Sequence, residues 1–435
     1  MSNRTFKTIT RNGKKFNLLT LPGTNFFKFQ IVNEYGANIE RVVKEKTGKN
    51  VYGISHLIEH LSFKSSKDYT TDEIIKIKKN EGACNAGTSY DRIFYWFETN
   101  MSKVDKAIRV ICNIALNDLQ KVSKDEFERE KKVVFNESKR YHDDDQTMFY
   151  FNSIRASLGY EEGDNIIAFP EQVKTLELED AKDIKNIFIH NNEYIYNVVY
   201  DSELIGEEEM LLKIENELKR FESKPNSELI ISDEEYRAGL SSIKEGSKSI
   251  KNESEQAMTM MAIDTVENMF VSDAACEYLG QIADKTSLNY LIREKNGLTY
   301  GLNLYVIEMA YKNYVVFSCD VSKGTEEKMM ELFKESIDKS CKAWDTIRHK
   351  ELVETLDLDR TMENINQKKY SAWFRIALYH PEFIEKHEDM LKNNLDSIYS
   401  VIDKDVLTYE NIKDAITSIN MAVQNNKYGI VTNIS

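Results

Sequence analysis

The order of sequence patterns in the first half of this chain of 435 residues recurs in its second half. In the first half, TSYDRIFYWFETNMSKVDKAIRVI has the pattern of a strand, a turn and a helix, and a further helical pattern, FEREKKVVFNESKR, follows it. In the second half, MAYKNYVVFSCDVSKGTEEKMMEL and HKELVETLDLDRTM repeat that order, with Tyr90 aligned to Tyr311. A repeat of this length indicates an internal duplication. We therefore predict an α+β fold of two homologous α/β sandwich domains, each with an antiparallel-rich sheet and helices on one face.

A polar segment near the middle of the chain predicts where the two domains are joined. Residues 222–255 are rich in charged residues and nearly free of aromatic ones, which is typical of a linker. We therefore predict a first domain at residues 1–221, a linker at 222–255 and a second domain at 256–435. Hydrophobic periodicity in the first domain predicts strands at 26–35 and 90–98 and helices at 102–118, 123–141, 179–190 and 206–220.

Charge and composition disfavour several classes of protein. The chain has 58 Lys and Arg residues against 72 Asp and Glu residues, and its formal net charge of −14 disfavours binding to nucleic acid. It contains no run of the ~18 apolar residues typical of a membrane-spanning helix, and its first residues do not resemble a signal peptide. The five cysteines are scattered without a Cys-x-x-Cys pair, as in proteins of reducing compartments. We therefore expect a cytoplasmic protein with no nucleic-acid or membrane partner.

One short segment, GISHLIEHL at residues 53–61, carries candidate metal ligands. His56 and His60 lie one helical turn apart, so their imidazoles can reach a single metal ion, and Glu59 lies beside them. The other side of this helix is apolar and predicted to be buried: Ile54, Leu57, Ile58 and Leu61. The alternative is a solvated helix face that happens to carry two histidines. A third ligand distinguishes the two interpretations.

The predicted helix at 123–141 carries that third candidate. A capping box formed by Ser123 and Glu126 marks its start. Its apolar positions define a predicted buried face: Phe127, Val133, Val134 and Tyr141. Glu130 and Glu137 both fall inside this face, where an unpaired carboxylate costs several kcal/mol. We therefore predict a metal ion bound by His56, His60 and Glu137, with Glu130 supporting a ligand from behind.

These residues follow one another as they do in a known peptidase family. Three further segments agree with its pattern: Phe63-Lys64, Asn85-Ala86-Gly87-Thr88, and LIREKNGLTY at residues 291–300. The chain thus resembles the inverzincin peptidases of family M16, which include pitrilysin, insulysin and the mitochondrial processing peptidases, in their short two-domain form.

The resemblance implies a zinc-dependent endopeptidase. It implies one Zn²⁺ per chain, and attack of a zinc-bound water, assisted by Glu59, on peptide bonds in unfolded segments or short peptides. By the same resemblance, Asn85 and Ala86 bind the peptide substrate as an added strand. Arg293 and Tyr300 stabilise the negative charge that develops on the substrate carbonyl. Read without the family, Asn85 is a turn residue, Arg293 a surface residue and Tyr300 a core residue.

The second half has none of the predicted metal ligands. At the offset that aligns Tyr90 with Tyr311, residues 56–60 correspond to 277–281, and Glu137 corresponds to Leu358. The second domain is therefore expected to carry no metal and to contribute the Arg293/Tyr300 segment. The expected partner is a second copy of the chain or a related M16 chain. Two other functions stay open: a catalytically silent M16-like subunit that binds peptides or organises an assembly, and a small-molecule metallohydrolase.

Overall fold

The structure is a computed structural model that describes residues 4–157, 159, 165–191, 194–222, 229–238, 246–251, 256–265, 268–309, 312–365, 384, 386 and 402–434. The chain forms two compact units. The first unit comprises Met1–His142, Gly163–Leu240 and Tyr370–Ser397, and the second comprises Asp143–Glu162, Ser241–Lys369 and Ile398–Ser435.

The strands and helices of the described residues are divided between the two units. The strands are β1 (Thr5–Arg11), β2 (Lys14–Thr20), β3 (Phe26–Asn33), β4 (Ala83–Thr88), β5 (Ile93–Asn100), β6 (Tyr194–Tyr200), β7 (Gly246–Lys251), β8 (Gln256–Thr265), β9 (Leu302–Met309), β10 (Lys312–Ser322) and β11 (Gly429–Ile434). The α-helices are α1 (Asn38–Thr47), α2 (Ile54–Ser62), α3 (Thr71–Asn80), α4 (Val104–Ala115), α5 (Lys124–His142), α6 (Asp145–Ser157), α7 (Pro170–Thr175), α8 (Leu178–His190), α9 (Glu207–Lys219), α10 (Asp233–Ala238), α11 (Met269–Glu277), α12 (Glu326–Ala343), α13 (Thr346–Ile365) and α14 (Tyr409–Gln424). Short 3₁₀ turns lie at Met101–Lys103 and Asp284–Thr286, and π-helical turns at Tyr278–Ile282, Asn289–Glu294 and Ile402–Val406.

A six-stranded sheet organises the first unit. Its strand order is β1-β2-β6-β3-β5-β4, and every neighbouring pair is antiparallel except β2 and β6, which run parallel. Helix α4 packs on β3 and β5, and helix α2 packs on β4 and against α5 and α8. The core of this unit lies between the sheet and these helices, where the apolar side of α2 is fully buried as predicted.

A five-stranded sheet organises the second unit and repeats the topology of the first. Its order is β7-β11-β8-β10-β9, with β7 and β11 parallel and the other pairs antiparallel. If β1 is left out, the two sheets have the same strand order. Numbered along the chain within each sheet, the strands follow one another as first, last, second, fourth and third. Helices α12 and α13 follow β10 as α4 and α5 follow β5. The prediction of an internal duplication with two antiparallel-rich sheets is confirmed.

The predicted elements of the first domain are present, with shifts of a few residues at their ends. Strands β3 and β5 and helices α4, α5, α8 and α9 lie where hydrophobic periodicity predicts them. The segment 222–255, predicted to be a linker, contains helix α10 and strand β7 in its described part. The boundaries of the two domains therefore stay a prediction. None of the described helices is long and apolar enough to cross a membrane.

Candidate metal centre

Helix α2 begins at a position that accepts only glycine. Gly53, the residue before the helix, has a φ of +86°, and a Cβ added to it would lie 2.4 Å from the Cβ of Ala168. A glycine cannot cap the helix with a side chain. Instead, the buried Glu40 carboxylate on α1 accepts hydrogen bonds from the backbone N–H groups of Gly53 and Ser55, both at 2.7 Å. This negative charge at the N-terminus of α2 stabilises the helix that carries His56.

A buried lysine supports the other end of helix α2. Lys185, on α8, is 1% exposed, and its amine donates hydrogen bonds to the carbonyl of Ala115 at 2.8 Å and to Ser62 Oγ at 3.2 Å. Its amine also lies 3.4 Å from the hydroxyl of Tyr95. Burial lowers the pKa of Lys185 to about 7.

Helix α5 presents two glutamates to helix α2. The predicted capping box is present, since Ser123 N–H donates to Glu126 and Glu126 N–H donates to Ser123 Oγ. Glu130 is buried and Glu137 is partly buried, as predicted. Val133, in contrast, is 49% exposed, so its assignment to the buried face was wrong. The buried stripe is centred on Phe127, Val134 and Ser138, because α5 packs against both α2 and α7.

The structure brings the three predicted metal ligands together. The Nε2 atoms of His56 and His60 lie 4.0 and 3.5 Å from Glu137 Oε2, and the three ligand atoms all lie within 4.8 Å of one another. Tetrahedral zinc with bonds of ~2.0–2.2 Å sets its ligand atoms about 3.4 Å apart. Two imidazoles and one carboxylate at these distances therefore fit Zn²⁺ after shifts of under about an ångström, with a fourth position left open.

Glu130 lies behind His60 and fixes the orientation of its ring. The Nδ1 atom of His60 is 2.9 Å from Glu130 Oε1, so the Nδ1–H donates to the carboxylate and Nε2 points to the ligand cluster. The second carboxylate oxygen is 2.5 Å from the amine of Lys64. Lys64 and Glu130 together thus determine which nitrogen of His60 is available to a metal ion.

Burial and neighbouring charges set the protonation of the two histidines in opposite directions. Burial, with a smaller contribution from His60, lowers the pKa of His56 to about 3, which keeps its imidazole neutral. Burial also lowers the pKa of His60, but the hydrogen bond to Glu130 and the charges of Glu59 and Glu137 outweigh it and raise that pKa above its ordinary value. Burial acts to raise the pKa of Glu130, but the hydrogen bonds from His60 and Lys64 outweigh burial. The pKa of Glu130 therefore lies below its ordinary value, and this carboxylate stays ionised.

Glu59 lies on the same helix between the two histidines. Its Oε2 accepts a hydrogen bond of 2.6 Å from Thr88 Oγ1, at the end of β4. Burial raises the pKa of Glu59 above its ordinary value, and the hydrogen bond from Thr88 acts against that increase. A carboxylate with a raised pKa beside a metal site is suited to accept and return a proton.

Asn85 and Ala86 lie on β4, which is at the end of the described sheet. Only β5 pairs with β4 among the described strands, and Ala86 lies opposite Tyr95 in that pairing. Side chains alternate along a strand, so Ala86 faces the core beside Cys84 and Asn85 faces the other side of the sheet, where it is exposed.

Arg293 and Tyr300 lie in the second unit. Arg293 is in the π-helical turn Asn289–Glu294, and its guanidinium carbon lies 5.8 Å from the ring centroid of Tyr300. Tyr300 precedes β9 and is 93% exposed, so the alternative of a core tyrosine is wrong.

Four residues of this site were not predicted from the sequence to have a functional role: Glu40, Lys64, Thr88 and Lys185. Lys64 and Thr88 belong to segments that carry the family resemblance, and that was the available signal for them. Glu40 and Lys185 are ordinary charged residues of amphipathic helices, and their burial is visible only in the structure.

The sequence is similar to that of known peptidases. The profile of "Insulinase (Peptidase family M16)" matches residues 46–159, a span that contains His56, Glu59, His60, Glu130 and Glu137. The zinc protease PqqE of Helicobacter pylori is 31% identical over 161 residues, which are 36% of this chain and 35% of that protein. The match therefore spans about a third of the length of this curated relative.

Solved structures match over nearly the whole chain. A protease from Helicobacter pylori has a TM-score of 0.72 at 16% identity, with 100% of both chains covered. A peptidase M16 inactive domain from Pseudomonas fluorescens has a TM-score of 0.73 at 12% identity, with 98% of this chain and 97% of that chain covered. The fold is therefore that of the two-domain M16 peptidases. The profile match adds sequence similarity to peptidase family M16 at residues 46–159.

Proposed function

We propose that this protein is a zinc-dependent endopeptidase that hydrolyses peptide bonds in unfolded segments or short peptides. The observation that carries the proposal is the convergence of His56, His60 and Glu137, with Glu59 between the two histidines on helix α2. Among the described residues this is the one group of three His, Cys, Asp or Glu side chains close enough to hold a metal ion, which supports one Zn²⁺ per chain.

The residues of the site divide the chemistry between them. When bound, zinc supplies a Lewis acid that polarises the scissile carbonyl and lowers the pKa of water at the site. Glu59 accepts the proton of the attacking water and passes it to the leaving amine. His60 keeps its Nε2 lone pair for the metal because its Nδ1–H donates a hydrogen bond to Glu130.

The substrate is proposed to bind as an extended peptide along β4. Main-chain hydrogen bonds to a strand at the end of a sheet tolerate many side chains, which suits a peptidase for unfolded segments. Asn85 and Ala86 would form this pairing, and β4 packs on the helix that carries Glu59.

Arg293 and Tyr300 are proposed to donate hydrogen bonds to the substrate carbonyl oxygen as negative charge develops on it. The exposure of Tyr300 supports this role, because its phenol is available to a ligand. Each chain carries both the metal cluster and this segment. We propose a C₂ homodimer, or a pair with a related M16 chain, in which the segment of one chain completes the site of the other.

The alternative function is a catalytically silent subunit that binds peptides or organises an assembly. The description of the Pseudomonas fluorescens relative as an inactive domain keeps this alternative open. Retention of His56, Glu59, His60, Glu130 and Glu137 favours catalysis, since a silent subunit does not need them. The proposed cytoplasmic location rests on five cysteines without a disulfide.

A fluorogenic peptide assay tests the function. We expect hydrolysis by the zinc-loaded protein, its loss with a chelator and its return with added zinc. Glu59→Gln should retain zinc and lose at least ~10² in rate, because glutamine cannot accept the proton. Glu128→Gln, at an exposed position of α5, is the matched control and should behave as wild type. A zinc-loaded wild-type protein that cleaves none of a broad peptide library would support the silent subunit.

A further inference from the structure

The hydrogen bond between Thr88 and Glu59 connects the proposed substrate-binding strand to the proposed general base. Thr88 is the last residue of β4, the strand proposed to pair with the peptide, and Glu59 is the proposed general base. The Oγ1···Oε2 distance of 2.6 Å is typical of a strong hydrogen bond to an ionised acceptor.

The direction in which Thr88 points follows from strand geometry. Side chains at alternate positions of a strand share a face, so Thr88 points to the side of Cys84 and Ala86, both in contact with the core. Helix α2 packs against β4 on this face. The hydroxyl therefore reaches Glu59 from a rigid element and not from a loop.

The hydrogen bond occupies only one oxygen of the carboxylate. Within the described part of the chain, Glu59 Oε1 makes no hydrogen bond and is available to a proton donor. The charges of His60 and Lys78 attract the Glu59 carboxylate, and the charge of Glu137 repels it. Without the Thr88 hydroxyl as a hydrogen-bond donor, these charges would not hold the carboxylate in a single orientation.

We propose that Thr88 is the positioning residue of the general base, holding Glu59 Oε2 so that Oε1 faces the peptide paired with β4. The inference rests on the proposed peptidase function. Through Thr88, strand β4 would hold both the general base on α2 and the paired peptide, which fixes the position of one relative to the other.

Two substitutions separate the hydroxyl from the shape of the side chain. Thr88→Val keeps the shape and removes the donor, and Thr88→Ser keeps the donor. In the zinc-loaded enzyme, Thr88→Val should lower kcat by roughly 10- to 100-fold with KM within about twofold, as expected when a general base is misplaced. Thr88→Ser should recover kcat to within about threefold of wild type. Equal activity of Thr88→Val and wild type, or equal loss in both variants, would overturn the inference.

A second measurement does not depend on activity. In the metal-free protein, Thr88→Val should raise the unfolding equilibrium constant by about tenfold when Glu59 is present, the lower range for a hydrogen bond to a charged group. In a Glu59→Ala background the same substitution should change it by less than about twofold. Equal effects in the two backgrounds would overturn the inference whether or not the protein is a peptidase. A coupled pair in a protein that cleaves no peptide would instead count against the proposed function alone.

Discussion

Replacing Glu130 with Gln tests how much of the proposed zinc affinity comes from a residue that is not itself a proposed ligand. Glu130 accepts the Nδ1–H of His60 at 2.9 Å and pairs with Lys64 at 2.5 Å. Glutamine keeps the shape and one acceptor but removes the charge. The variant therefore loses the ion pair, weakens the hydrogen bond to His60 and releases the ring to rotate.

The structure sets the size of the effect. The side chains of Glu130 and Lys64 are 12% and 19% exposed, so water and salt screen their interaction only in part. Removing a carboxylate that supports a metal-bound histidine typically weakens metal binding by ~10- to 100-fold, about 1.4–2.7 kcal/mol. We expect Glu130→Gln to fall in this range. Lys64→Met should give a smaller loss, because the hydrogen bond to His60 survives.

Competition with a chromophoric chelator measures the zinc Kd of each variant. Glu128→Gln, on the exposed side of the same helix, should leave the Kd unchanged. The thermal unfolding midpoint of the metal-free variants shows whether the fold is retained. A folded Glu130→Gln protein whose zinc Kd lies within about twofold of wild type would refute the role that we assign to Glu130.

Three further predictions follow from the same contacts. Glu137→Gln should reduce zinc occupancy sharply by elemental analysis while Glu128→Gln keeps one zinc per chain; full occupancy in Glu137→Gln would contradict the ligand assignment. Lys185 has a pKa of about 7 instead of 10.5, so above pH 7 the unfolded chain binds a proton that the folded chain does not. The unfolding free energy of wild type relative to Lys185→Met should therefore rise by roughly 1.4 kcal/mol per pH unit between pH 7 and 10.5 in urea titrations, and a flat difference would show that the amine is charged when buried. Mixed Glu59→Gln and Tyr300→Phe proteins should regain roughly a quarter of wild-type activity after subunit exchange if one chain completes the site of the other; no recovery despite proven exchange would rule out the shared site.

Local periodicity was enough to predict the parts of this protein that repeat along the chain. Strands β3 and β5 and helices α4, α5, α8 and α9 of the first unit, and the recurrence of the strand–helix–helix order in the second, follow from alternation and from helical spacing, which depend on neighbouring residues alone. The spacing of His56 and His60 likewise belongs to the helix itself, because residues at i and i+4 share a face in every α-helix.

Packing of distant segments decided the rest. Whether Val133 or Ser138 is buried on α5 depends on which helices lie against it, and a helical wheel does not contain that information. Glu137 lies more than seventy positions from His60 in the sequence, and only the contact of α5 with α2 brings the two within 3.5 Å.

The sequence by itself determined the duplication, the class of fold and the candidate ligands, because these depend on periodic patterns and on residue types within single helices, α2 for His56 and His60 and α5 for Glu137. The tertiary structure alone decided which polar and ionisable side chains support them. Their partners lie at separations in sequence that no local pattern encodes: this holds for Glu40, Lys64, Thr88 and Lys185. Glu40 and Lys185 can be buried because backbone groups at helix ends form hydrogen bonds with them. A buried charge is compensated by groups in space and not by neighbours in sequence, so its role becomes visible only once the chain is folded.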